Sequence, residues 1–158
     1  VKRYVLGLAF TEDGSVVMVR KNRPVWQAGK LNFVGGKVEP NEMYSDTMVR
    51  EFLEETGVET QKSDWRFAGL MGRKHNGKYD GDTEDHGAFV VSLYVSEPDD
   101  KYFECRTVED EEILIVPKTK FTVDRDYDSL YIGNIRTIYE FATSPDFQEG
   151  ALLNIEYL

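Results

Sequence analysis

Three glutamates, Glu51, Glu54 and Glu55, stand near the end of a stretch free of Gly and Pro that runs from about Met43 to Thr56. A helix advancing about 100° per residue gathers all three within one arc of about 100°. Met48, Val49, Phe52 and Leu53 fall in a separate arc, so one side packs while the other collects carboxylates. Arg50 is next to Glu51 and four residues before Glu54, placed to steer either one. Gly57 follows where a left-handed cap would end the helix.

For a helix that only has to be stable, this is a poor arrangement. Each acid near the negative end of the helix dipole costs roughly 0.3–1 kcal/mol, and neighbouring pairs repel. A hard divalent cation reverses the sign, because Mg²⁺ takes carboxylate oxygens and shares coordination with phosphate and water. The competing explanation is a solvated acidic face.

The wider spacing decides between them. Gly36 is followed after five residues by Glu42, after seven more by Arg50-Glu51, then by Phe52, Glu54-Glu55 and Gly57-Val58. This pattern resembles the signature of the Nudix hydrolases, with all nine defining positions filled over 23 residues. The resemblance implies an α/β fold, a three-layer α/β/α sandwich around a mixed β-sheet. It also implies Mg²⁺-dependent hydrolysis of a pyrophosphate bond, with Mn²⁺ as a substitute metal. Glu51 and Glu55 are then the expected metal ligands, joined by Glu54, directly or through water, and by the Gly35 carbonyl. Glu51 and Glu54 also count among the catalytic candidates, Arg50 orients the cluster, and Glu42, Gly36 and Gly57 shape the loop and helix. In the family the general base is a glutamate of the signature or a carboxylate from a later loop. Glu109-Asp110-Glu111-Glu112 offers the latter, with Glu111 and Glu112 as candidates. Many relatives carry Pro before the two glycines where this chain has Val34, which bears on substrate subclass more than on activity.

The remaining elements have to hold this stretch in place. Tyr4–Phe10 reads as a buried strand, Thr11–Ser15 as a turn and Val16–Arg20 as the returning strand of a hairpin. Leu31–Val34 delivers the chain to the Gly35-Gly36 turn, and Asn41 or Ser45 would cap the helix. Trp65–Met71, Ala88–Val95, Ile113–Val116 and Ala151–Leu158 read as further strands. Tyr127–Ala142 has helical spacing, with Asp128 or Ser129 as its cap. Gly72–Gly87, a polar insert holding His75 and His86, is too long for a hairpin turn. The two histidines lack metal-site spacing and read as polar filler. Without repeats or linkers, residues 1–158 read as one domain.

Composition bounds the function. The chain of 158 residues carries a net charge of −10, which argues against a general nucleic-acid-binding surface. Seven Lys/Arg against two acids give residues 1–37 a net of +5, so local cations can offset an acidic field around phosphates. Arg20, Arg23 and Lys37 are the candidates for holding substrate phosphates, and Trp26, Phe33 and Tyr79 for stacking on a base. Cys105 is the only cysteine, so no internal disulfide forms and a cytoplasmic setting is expected. No apolar run is long enough to span a membrane and no signal-peptide pattern opens the chain. The expected partner is a small nucleotide, a nucleoside triphosphate first, including oxidised or non-standard ones, and ADP-ribose or a nucleotide sugar second. A non-catalytic nucleotide-binding module on the same fold is the rival from another class; it usually loses a signature acid. Many relatives are homodimers, and a homodimer is a further expectation.

Overall fold

The structure is a computed structural model and describes residues 1–73 and 87–157. His75, Tyr79 and His86 lie outside the described residues. Seven strands form one sheet: β1 Lys2–Leu8, β2 Val16–Arg20, β3 Leu31–Lys37, β4 Trp65–Arg73, β5 Phe89–Ser96, β6 Glu112–Val116 and β7 Leu153–Glu156. Their order is β6-β2-β3-β1-β5-β4-β7. Parallel β1/β5 and β4/β7 pairs among antiparallel neighbours make the sheet mixed, as expected for this fold class.

Alternating side chains sort the core into two layers. Val5, Val17 and Val34 point to the face covered by helix α1 (Tyr44–Thr56), against Met48, Phe52 and Trp65. Leu6, Leu8, Met18 and Phe33 point to the other face, against Ile135, Ile138 and Tyr139 of the C-terminal region. That region contains α2 (Thr119–Thr122), α3 (Ile135–Ala142) and α4 (Pro145–Gln148). The result is the α/β/α sandwich.

Several boundaries differ from the sequence expectation, each for a local reason. The Gly35-Gly36 pair is not a turn. It continues β3 as far as Lys37, opposite Leu6 and Val5 of β1, because residues without side chains permit the close antiparallel approach. Neither Asn41 nor Ser45 caps α1: Met43 is the N-cap without a side-chain bond, and Asn41 takes a left-handed turn at φ 64°. The single helix expected over Tyr127–Ala142 is broken. A 3₁₀ stretch ends at Leu130, Tyr131 bridges to Leu31, and α3 starts only after Asn134, which takes a left-handed φ of 72°. β1 stops at Leu8, with Phe10 reduced to a single bridge to Val16. The last strand is shorter than expected and runs parallel to β4 at the sheet edge.

Candidate active site

Two features fix the position of α1. Its C-terminus closes at Gly57, with φ 75° and an amide that donates to the Leu53 carbonyl at 2.9 Å, while Arg106 packs over the missing side chain. Its outward-facing side is pinned by Arg50. The Arg50 guanidinium donates through Nε to Glu42 Oε2 at 2.8 Å and through Nη2 to Glu42 Oε1 at 2.9 Å. Nη2 also reaches the Lys37 carbonyl at 3.1 Å, and Nη1 reaches Glu51 at 2.8 Å and Glu54 at 3.2 Å. One side chain therefore ties the end of β3, the loop and the helix together.

Glu42 also accepts the Thr47 hydroxyl at 2.5 Å and the Glu39 amide at 3.2 Å. The Arg50 hydrogen bonds come first in holding its carboxyl well down, at about 2. The same pairing raises Arg50 above its ordinary value. Glu42 stabilises the fold above its unfolded value of about 4.5, and that contribution is lost as pH falls through about 2. We expect Glu42→Gln to cost roughly 1–3 kcal/mol at pH 7, with the deficit closing in acid. Chemical denaturation of both proteins from pH 7 to pH 2 measures it; a deficit independent of pH would reject the charge-assisted account.

The three helix glutamates occupy different environments. Glu54 is half-exposed, and Glu51 is largely covered, with its carboxylate lying directly against Gly36. Burial raises the Glu51 carboxyl, with Arg50 opposing. Glu55 is pushed furthest, to about 8, chiefly by burial, with Lys21 opposing and Glu51, Glu111 and Glu109 adding to it. Its Oε2 is buried and has no hydrogen-bond partner.

The acidic run before β6 splits into separate roles. Glu111 accepts from Lys21 Nζ at 2.7 Å and from the Asn22 amide at 2.5 Å. Burial opposes its ionisation, but these partners outweigh it and hold the carboxyl below its ordinary value. Glu112 instead pairs with Arg20 at 3.4 Å, its cross-strand neighbour, away from Glu55. Glu109, which the sequence reading left unranked, adds negative potential at both Glu51 and Glu55. Glu109 and Glu111 both raise the Glu55 carboxyl, while Glu112 is engaged with Arg20.

Beside this cluster lies a cavity of about 850 Å³. Lys21, Arg23, Gly35, Gly36 and Lys37 line it, with Lys21 beside the start of β3 and Lys37 at the end of that strand. Arg20 does not line it, being engaged with Glu112 and with the Gly29 carbonyl at 3.2 Å. Lys21, one residue on, takes the position expected of Arg20. Trp26 lines the cavity and is 65% exposed, whereas Phe33 is 1% exposed and belongs to the core. Lys2, Arg73, Phe89 and Tyr157 also line it, and sequence reasoning missed all four. They lie far from the glutamate signature, and only strand register brings them together.

No three His, Cys, Asp or Glu side chains among the described residues converge as a ready-made metal cluster, since Glu51 and Glu54 are turned toward Arg50. The residues nevertheless fit a hard cation. Glu55 offers a buried oxygen without a partner, Glu51 lies close by in charge, and β3 passes Glu51 without a side chain at Gly36. Glu51, Glu55, Glu54 and the Gly35 carbonyl are the groups that would hold such an ion.

Residues 2–126 match the family model of the NUDIX domain. The chain belongs to the Nudix family. Residues 127–157, which include part of the cavity wall of this Nudix protein, lie beyond the matched stretch. Among curated proteins it is 38% identical over 55 residues to the CTP pyrophosphohydrolase of Escherichia coli (strain K12). That match covers 35% of this chain and 41% of the relative, so the chain spans well under half the curated relative's length. Among solved structures it resembles the MutT protein of Bacillus halodurans, with a TM-score of 0.65 and 16% identity over 99% of this chain and 90% of the other. The MutT protein of Methanosarcina mazei Go1 follows at TM-score 0.60 and 19% identity, covering 95% and 96%. The NUDIX domain of Shewanella oneidensis NrtR, crystallised with ADP ribose, gives TM-score 0.60 and 16% identity, covering 89% and 84%. At these identities the structural likeness is one of fold.

Proposed function

We propose that this Nudix protein is a Mg²⁺-dependent pyrophosphohydrolase acting on a nucleoside diphosphate linked to another group, a nucleoside triphosphate first, and releasing a nucleoside monophosphate. The observation that carries the reading is the buried, partnerless oxygen of Glu55 on a helix whose Glu51 lies against Gly36, itself part of a cavity lined by cations and by no acid among its described residues. The curated relative's name, CTP pyrophosphohydrolase, supports the reaction class.

The chain's own residues divide the work. Lys21, Arg23 and Lys37, spread along the cavity on either side of Gly35-Gly36, bind and orient phosphate oxygens. Arg50 holds Glu51 and Glu54 in place from below. Glu109 or Glu111 takes the proton from the attacking water; Glu111 is kept ionised and fixed in position by Lys21 and Asn22. When bound, Mg²⁺ supplies neutralisation of phosphoryl oxygens and acidification of water. A cytoplasmic setting completes the proposal; no described helix is long and apolar enough to cross a membrane.

The second reading is ADP-ribose or a nucleotide sugar as substrate, favoured by a structural neighbour solved with ADP ribose. The test is a panel of triphosphates, ADP-ribose and nucleotide sugars assayed with Mg²⁺, and again after chelation. Metal-dependent release of a nucleoside monophosphate is expected. Tight binding without turnover across the panel would instead make the protein a nucleotide-binding module.

A further inference from the structure

Beyond Lys37, the cavity wall has its own composition. Phe89 of β5 is the direct register partner of Lys2 on β1 and also of Arg73 on β4. The three therefore form one row across adjacent strands, cation–ring–cation, and all three line the same cavity. Adjacent strands are about 4.8 Å apart, so each cation's backbone flanks that of Phe89 at about one strand spacing. The Arg73 guanidinium passes close to Gly87, where an added Cβ would meet it at 3.7 Å, and Gly87 lines the cavity as well. Tyr157 stands beside the ring of Phe89, 5.8 Å between centroids, and closes that side.

Strand register also gives the reach. Gly35 is opposite Leu6, and Lys2 lies four residues back along β1, a rise of about 13 Å. That separation is comparable with the length of a nucleotide from its pyrophosphate to the outer edge of its base. An aromatic platform suits a flat ring. Flanking Lys and Arg side chains are donors only, so they complement the adjacent O6 and N7 acceptors of guanine or the O4 of uracil and oppose the N6 amino group that adenine presents at the same edge.

We propose that Phe89, Lys2 and Arg73 form the base subsite, and that it selects nucleotides whose base presents keto oxygens, guanine or uracil, over adenine. The inference rests on the pyrophosphohydrolase reading for the position of the phosphates, but its test does not require turnover. Nucleoside monophosphates are products and are not hydrolysed, so titration calorimetry with GMP, UMP and AMP reads the base preference alone. GMP and UMP are expected to bind at least about tenfold more tightly than AMP. Arg73→Met and the double variant Lys2→Met/Arg73→Met should flatten that ratio, with Arg73→Lys restoring part of it. Lys62→Met, whose pair with Asp46 lies at the start of α1, should leave the ratio unchanged. In turnover assays the Arg73 variants should raise KM for GTP and UTP while leaving kcat and the ATP values near wild type. AMP binding as tightly as GMP and UMP, no binding of any monophosphate, or a preference that survives the double variant would each overturn the subsite. Failure of every triphosphate to be hydrolysed, with base-selective product binding intact, would reject the enzymatic reading and leave the subsite standing.

Discussion

Glu55→Gln should make the protein more stable and nearly inactive. Burial raises the Glu55 carboxyl to about 8 in the folded chain, against about 4.5 unfolded. A raised folded value means that the protonated group is fully compatible with folding below pH 4.5. The cost of ionising it accumulates as pH rises toward 8. Glutamine removes that cost. In chelator at pH 8 the variant should gain on the order of 3 kcal/mol, a gain that shrinks toward zero by about pH 4. Its metal-dependent turnover should fall on the order of 10³-fold, because the buried oxygen that a divalent ion would neutralise is replaced by an amide. Thermal unfolding across pH and a Mg²⁺ titration of activity read the two effects separately. Equal stability at pH 8, or full activity, would remove Glu55 from the role given to it. Opposite changes in stability and activity are the expected mark of a group kept for function at a structural cost.

Gly36→Ala is expected to be nearly as damaging, but in stability and activity together. A methyl group at this position would overlap the carboxyl carbon and both oxygens of Glu51, and these cannot retreat while Arg50 holds them at 2.8 Å. Either the helix shifts away from β3 or Glu51 leaves Arg50. We expect a loss of roughly 1–3 kcal/mol from overpacking and roughly 10²-fold in activity from displacement of the carboxylate. Adding Glu51→Ala should recover stability, because the overlap is relieved, but not activity. Should Gly36→Ala leave both properties intact, the close contact between β3 and the helix would not be what positions Glu51.

Local patterning carried some parts of this structure and not others. The helix from Tyr44 to Thr56 was legible because its apolar residues, its acids and its terminal glycine agree on one periodicity. Strands Lys2–Leu8 and Val16–Arg20 were legible from their apolar runs, but not their partners: β3 lies between them in the sheet, and the expected hairpin shrinks to the Phe10–Val16 bridge beside the turn. The Gly35-Gly36 pair misled because glycine signals a turn by local chemistry, while here its lack of bulk lets the strand run on beside β1. Tyr127–Ala142 misled because its apolar spacing is helical on both sides of a left-handed Asn134, and one backbone angle is invisible to periodicity. Arg20 does not line the cavity and Lys21, which the sequence did not single out, does, because charge alone does not say which way a side chain faces. The base-end row of Lys2, Phe89 and Arg73 could not have been found in sequence, since three separate strands supply it.

The far wall of the cavity is built from chain beyond Asp126. Ile132 donates to the Leu31 carbonyl at 3.0 Å, Tyr157 donates its amide to the Gly72 carbonyl at 2.8 Å, and Asn134 bonds the Tyr157 hydroxyl. The glutamate cluster and the phosphate-side cations all come from the earlier segment. The charged and stacking groups and the wall that encloses them are therefore encoded in stretches of sequence that can diverge at different rates. Exchanging residues 127–157 between relatives should alter how closely the cavity wraps its occupant while leaving base preference and the hydrolytic step with Lys2, Phe89, Arg73 and the glutamates.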